Sequence, residues 1–280
     1  MRRSLLTAFL FTGLTLSSPA GVVRSGFDSA SLGRNDDSSS AARPLGFSNS
    51  INFGGASYSK LFVNNNGNVT FDAALSAFTP FGLGSLNRAI IAPFFADVDT
   101  RNSLSGVTAY GIGAVNGYEA FGVSWRDVGY YNRKADKLNS FQLVLINRPD
   151  TGTGNFDIEF NYDRIQWETG DTSGGVNGLG GSSAGIGYAN SPGLPAFELT
   201  GSGNPGSFLD SNSDTGLIYS SNVGVDGRFL FQVRNGTVMH CDGLTPIPEP
   251  AAIGFGLALL GVCAQGRFRS RRAAVGTAQG

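Results

Sequence analysis

This sequence is short of the residues that reactive and metal-binding chemistry draws on. It has one histidine, His240, and two cysteines, Cys241 and Cys263, in 280 residues. Without a second histidine there is no His cluster for zinc and no separate base for a Ser or Cys triad. His240 adjoins Cys241, and neighbouring side chains on an extended segment point to opposite faces, so the two are badly placed as nucleophile and base. Cys263 lies in an apolar run near the C-terminus, which speaks against a disulfide framework. Charge is also sparse, at 15%, and lopsided in position. Arg2, Arg3, Arg267, Arg269, Arg271 and Arg272 sit at the two ends. Setting those six aside from 20 basic residues leaves 14 against 21 acidic ones, a net charge of −7 in between. Such a stretch repels polyanions, so no nucleic-acid partner is expected.

A 3.6-residue apolar stripe is missing too from the stretch between the ends, whereas glycine (41) and phenylalanine (21) are abundant. Many short strands, tight turns and an aromatic core follow from that balance. In Phe156-Asp157-Ile158-Glu159-Phe160-Asn161-Tyr162-Asp163 the apolar side chains share one face and the acids and amide the other, a separation only a period of two produces. Phe121, Val123 and Trp125 repeat the alternation, as do Phe229, Phe231 and Val233. Phe141 to Ile146 is apolar on both faces, as suits a central strand covered on each side. Leu61-Phe62-Val63 and Val69-Thr70-Phe71 flank Asn64 to Asn68, where Asn66-Gly67 can supply the positive φ angles of a hairpin turn. The predicted class is all-β, an antiparallel β-sandwich or irregular barrel. The Gly-rich stretches 169–187 and 201–216 read as loops, because glycine packs nothing in a strand interior.

The two ends read as addresses. Arg2 and Arg3 precede the apolar run Leu5 to Leu16 and the small residues Ser18-Pro19-Ala20, the order of a signal peptide over residues 1–20, removed by signal peptidase. At the far end Pro246-Ile247-Pro248-Glu249-Pro250 precedes the apolar run Ala251 to Ala264 and then the arginines 267, 269, 271 and 272. That run, as a helix, spans about 21 Å against roughly 30 Å of bilayer hydrocarbon. Over residues 246–272 the order of motif, short apolar helix and basic cluster resembles the PEP-CTERM sorting signal of Gram-negative bacteria. The resemblance makes Pro248, Glu249 and Pro250 the sorting motif and implies cleavage by an exosortase after transient membrane anchoring. The alternative is a plain tail anchor on a proline-rich stem. Arg267, Arg269, Arg271 and Arg272 stay cytoplasmic under the positive-inside tendency, leaving everything before Pro246 outside the membrane.

The expected organisation is thus a signal helix (1–20), a lead-in or edge segment (21–59), a β domain (60–236), a linker (237–245), the sorting signal (246–272) and a tail (273–280). Within the β domain the segments Phe62 to Phe71, Ile90 to Thr100, Phe121 to Trp125, Asn139 to Leu145, Asp157 to Tyr162 and Ala184 to Tyr188 occur in an order that resembles the nidogen-like (NIDO) domain. That resemblance, over about Leu61 to Val233, implies an extracellular adhesion or matrix role with no catalytic activity.

Few positions invite chemistry. Asp97 and Asp99 lie two apart, about 7 Å between Cα atoms on one face of an extended strand. Either they close the strand by accepting hydrogen bonds from turn amides, the preferred reading, or they hold a Ca²⁺ ion. Asp210, Asn212 and Asp214 imitate the start of a calcium loop, but the glycine, Gly216, comes one place late and Ser221 stands where the twelfth-position Glu belongs. Asp157, Glu159, Asn161 and Asp163 form an acidic strip expected to be a solvated face. Trp125 shares the apolar face of its strand and reads as core, while Tyr130 and Tyr131 are candidate exposed aromatics. Two functions compete. One is a surface protein associating with extracellular matrix or exopolysaccharide, as in a biofilm. The other is an extracellular carbohydrate-binding module or glycoside hydrolase using Asp157 and Glu159. The latter requires two carboxylates facing across a cleft, and these two are neighbours on one strand.

Overall fold

The structure, a computed structural model, describes residues 22–190 and 196–239. The signal segment, His240, both cysteines, the Pro248-Glu249-Pro250 motif, the apolar run and the terminal arginines lie outside the described residues. Alternating and β-branched sequence becomes strand almost throughout. In chain order the first strands are β1 (Ala30–Ser31), β2 (Arg43–Pro44), β3 (Ile51–Phe53), β4 (Ala56–Tyr58), β5 (Lys60–Asn64), β6 (Asn68–Thr70), β7 (Ile90–Phe95) and β8 (Thr108–Val115). They continue with β9 (Tyr118–Tyr130), β10 (Lys134–Asn147), β11 (Phe156–Arg164), β12 (Gly185–Ala189), β13 (Phe197–Glu198), β14 (Arg228–Arg234) and β15 (Thr237–Met239). Among the described residues helix occurs only as three-residue 3₁₀ turns, and no helix is long and apolar enough to cross a membrane.

Seven strands form one antiparallel sheet in the order β1-β8-β9-β10-β11-β14-β15, and six form a second in the order β13-β12-β7-β6-β5-β2. The β3-β4 hairpin stands apart. Neither sheet closes on itself, so of the two expected architectures the barrel is not formed. The sheets meet face to face: Phe94 of β7 packs on Phe141 of β10 at 5.1 Å between ring centres, and Tyr162 Oη of β11 donates to the Pro93 carbonyl at 2.7 Å. Phe156, Ile158, Phe160 and Tyr162 all point into this core, as their spacing predicts. β10 is buried on both faces, with Phe141, Leu143 and Leu145 in the main core and Val144 and Ile146 in a smaller cluster with Phe27, Val115 and Ala120.

The hairpin between β5 and β6 has Asn64 opposite Asn68, leaving Asn65, Asn66 and Gly67 as its loop. Of the three only Gly67 takes a positive φ, 71°, the pattern of a three-residue hairpin loop rather than a two-residue Asn-Gly turn. Here a side chain is excluded twice over, since a Cβ on Gly67 would lie 1.7 Å from the Phe94 carbonyl oxygen of the neighbouring strand. Gly67→Ala is therefore expected to lose more than about 2 kcal/mol. Urea denaturation measures this, and a loss below about 0.5 kcal/mol would show that the loop relaxes freely.

The expectation of loops is met over 201–216, which is turns and bends, but not over all of 169–187, whose end is strand β12. Gly185 and Gly187 sit within that strand, and at Gly187 β13 pairs closely alongside: a Cβ there would lie 1.9 Å from the Phe197 carbonyl oxygen. Close approach of a neighbouring backbone outweighs the entropic cost of glycine in a strand.

Candidate functional site

Two polar assemblies stand out, an acidic corner at the end of β7 and an ion-paired groove over the outer face of β11. The corner is assembled by asparagines. The backbone leaving β7 runs as Ala96-Asp97-Val98-Asp99 beside the end of β9, with Asp99 N–H donating to the Gly129 carbonyl at 3.1 Å and Tyr131 N–H to the Asp97 carbonyl at 3.2 Å. On its other side sits the hairpin loop. Asn66 Oδ1 accepts from Val98 N–H at 3.0 Å, Asn65 Nδ2 donates to the Val98 carbonyl at 2.6 Å, and Asn66 Nδ2 donates to Asp37 Oδ1 at 2.8 Å. Asn65 Nδ2 also reaches the Asp36 carbonyl. Asn65 is itself held by Trp125, whose Nε1 donates to its carbonyl at 2.8 Å, and by Thr108 Oγ1, 3.1 Å from its Oδ1. The polar lead-in around Asp36 is thus fastened to the end of β7 through a buried amide network, which rigidifies only because it is satisfied.

The structure separates the roles of Asp97 and Asp99. Asp99 accepts from Arg101 N–H, Nε and Nη2 at 3.0, 2.9 and 2.6 Å and from Arg133 N–H at 2.8 Å, closing the turn with both oxygens. Burial works against its charge, yet the Arg101 and Arg133 hydrogen bonds prevail and hold its carboxyl below the usual range. Asp97 turns instead toward Asp36 and Asp37, and a carboxylate oxygen from each of the three lies within 4.8 Å of the others. Burial, then the charges of Asp36, Asp37 and Asp99, push the Asp97 carboxyl up to about 8. Asp36, raised by burial and by Asp99 and Asp37, reaches about 6. Nothing in the spacing of the sequence pointed to Asp36 and Asp37, which lie in a polar stretch some sixty residues before Asp97. The only local signal was their adjacency.

On β11 the expected solvated face is buried instead. Asp157, Glu159 and Asn161 are 3%, 2% and 0% exposed, and of the strip only Asp163 is open to solvent. The cause is a cover of arginines and of the N-terminal segment. Glu159 takes Arg24 Nε and Nη2 at 2.6 and 2.8 Å and Asn161 Nδ2 at 2.7 Å. Asp157 takes Arg148 Nη1 and Arg234 Nη2, each at 2.7 Å. Arg24, Tyr118, Arg148, Asp157, Glu159 and Arg228 line a groove of about 340 Å³. All four oxygens of the two carboxylates are engaged, so neither is free to protonate a leaving group or activate water, and both project from the same strand rather than across a cleft.

Asp210 Oδ1 ties its loop to the distant Ile165 N–H at 2.8 Å, and Asn212 Oδ1 closes a turn by accepting from Asp214 and Thr215 N–H at 3.1 Å each. Trp125 is in the core, as its face predicts, and so is Tyr130, which was a candidate for exposure. Tyr131 is half-buried, with the Arg101 guanidinium 6.0 Å from its ring centre.

Set on this frame, residues 59–235 match the nidogen-like domain family. The chain belongs to that family. Over 238 residues it is 31% identical to alpha-tectorin of Mus musculus, covering 75% of this chain and 10% of that protein. Alpha-tectorin of Gallus gallus is 32% identical over 200 residues, 63% of this chain and 9% of its own length. Nidogen of Drosophila melanogaster is 30% identical over 215 residues, 65% of this chain and 14% of its own. The chain spans about a tenth of the length of these tectorins. No solved structure matches it significantly. Asp97, Asp157 and Glu159 fall within the nidogen-like span, while Arg24, Asp36 and Asp37, which complete the two assemblies, precede it.

Proposed function

We propose that this chain is an exported bacterial surface or extracellular-matrix protein, non-enzymatic, whose nidogen-like domain mediates cell-matrix adhesion or association with exopolysaccharide. Membership of the nidogen-like family carries the reading, because the resemblance to that domain implies an extracellular adhesive role. The order of segments at the ends supports the itinerary: signal peptidase removes residues 1–20, the apolar run 251–264 anchors the protein transiently, and an exosortase cleaves near Pro248-Glu249-Pro250. The fully paired Asp157 and Glu159 give the glycoside hydrolase alternative no reactive carboxylate. A carbohydrate-binding alternative keeps one support, the groove in which the Arg148 guanidinium stacks 4.8 Å from the Tyr118 ring centre.

Intact mass of the protein from cell-surface and culture fractions is expected to show loss of about the first 20 residues and of everything beyond the Pro248–Pro250 region. A C-terminus intact through Arg272 in the membrane fraction would mean a plain tail anchor. For the adhesive role, cells lacking the protein are expected to attach less to a matrix-coated surface, and attachment is restored by the wild-type chain. Unchanged attachment would refute that role, and saturable binding of an isolated neutral glycan would favour the carbohydrate-binding alternative.

A further inference from the structure

The acidic corner holds two buried oxygens that no other described residue satisfies. Asp97 is 1% exposed, and its Oδ2 has no hydrogen-bond partner among the described residues; the buried Asp36 Oδ1 is in the same position. Folded proteins seldom bury such atoms unpaired without a reason. Asp36 and Asp97 belong to the trio in which Asp36, Asp37 and Asp97 each bring a carboxylate oxygen within 4.8 Å of the other two, a spread that puts a common centre within about 2.8 Å of all three, close to the Ca–O range of about 2.3–2.6 Å. One ion can touch all three. The remaining oxygens are tied down in ways that aim the carboxylates: Asn66 Nδ2 holds Asp37 Oδ1 at 2.8 Å, and Arg101 Nη2 holds Asp36 Oδ2 at 2.8 Å. Outer contacts of this kind orient ligands in metal sites. Arg101 offsets the charge of the trio only in part, since its guanidinium is shared between Asp36 and two hydrogen bonds to Asp99.

We propose that Asp36, Asp37 and Asp97 bind one Ca²⁺ ion, fastening the N-terminal loop to the end of β7. The donors are all hard oxygens, with no imidazole or thiolate, which selects a hard cation over zinc or copper. Asp36 and Asp37 are half-buried, so water completes a coordination shell of about six to eight ligands from the open side. The ion binds whatever surface partner the domain takes, so failure of the adhesive reading leaves it standing.

The test is titration of the EDTA-treated full chain with CaCl₂ by calorimetry, alongside its thermal unfolding. One equivalent is expected to bind, with Tm rising by about 5 °C or more at a hundredfold excess over Kd. Asp97→Asn keeps the side-chain shape but removes the charge. It is expected to weaken Ca²⁺ binding at least about tenfold and to melt in EDTA no lower than the wild type. Asp37→Asn, half-exposed and easily accommodated, carries the same expectation for binding should Asp97→Asn not fold. Asp214→Asn, in the exposed turn, must respond like the wild type. No uptake by the wild type up to about 10 mM, or equal uptake by the wild type, Asp97→Asn and Asp37→Asn, overturns the site and leaves Asp97 a buried protonated acid.

Discussion

A chain that begins at Ala30 does not fold cooperatively, and Phe27→Ala alone lowers stability by about 3–5 kcal/mol. Phe27 is 2% exposed and is the element that the outer face of the large sheet lacks: it packs on Val115, Ala120, Val144 and Ile146. Its ring lies over Gly122, where a Cβ would come within 2.3 Å of it. Three residues earlier Arg24 binds the buried Glu159 with two hydrogen bonds, and its backbone exchanges a pair with the Gln142 side chain at 2.9 and 2.8 Å. Val22 contributes further, its N–H to Asp163 at 2.8 Å and its carbonyl accepting from Arg228 at 2.9 Å. Truncation removes the Arg24 partner and opens Glu159 to water, leaving it Asn161 and a distant Arg228, 3.8 Å away. Losing hydrogen bonds to a charged group costs about 1.5–3 kcal/mol. Together with Phe27 this is a large part of the total stability of a domain. Urea denaturation of the truncated and full domains decides the matter, and equal midpoints would show that the strap is ornamental. Cleavage after residue 20, as proposed for export, leaves the whole strap on the mature protein.

Trp125→Ala is expected to cost at least as much, and to loosen the acidic corner as well. Trp125 is fully buried and stacks on Phe141 at 5.0 Å with an interplanar angle of 13°. Large-to-small replacement of such a side chain costs about 3–5 kcal/mol. The Asn65 carbonyl loses its donor too, a further penalty of about 1–3 kcal/mol. Because Asn65 clamps both the Asp36 and Val98 carbonyls, the damage reaches the segment that presents Asp97. Amide hydrogen exchange is expected to speed up at Val98 and Asp99, and Ca²⁺ affinity to fall, in Trp125→Ala and also in Trp125→Phe, which keeps much of the packing but loses the Nε1 donor to Asn65. Unchanged exchange at those two amides would break the link from the core to the corner.

Much of the architecture was legible because strand periodicity is local. The alternation in β11, β9 and β14 assigns side chains to faces from spacing alone, and the doubly apolar run of β10 announces a strand covered on both sides. The hairpin loop at Asn65 to Gly67 was visible for the same reason, although which residue takes the positive φ depends on loop length. The choice between sandwich and barrel was not visible, since it turns on how sheets close.

Composition and spacing in the chain itself determined an all-β domain, the position of its central strands and the placement of Trp125 in the core, while the order of its segments carried the resemblance to nidogen-like domains. Only the tertiary structure decided that Asp157 and Glu159 are buried under arginines, that β12 is built on glycines, and that Asp97 parts from Asp99 to meet Asp36 and Asp37. Spacing along a strand sets which side chains share a face. What lies against that face comes from residues as remote as Arg24 from Glu159, and their approach is settled by closure of the whole fold.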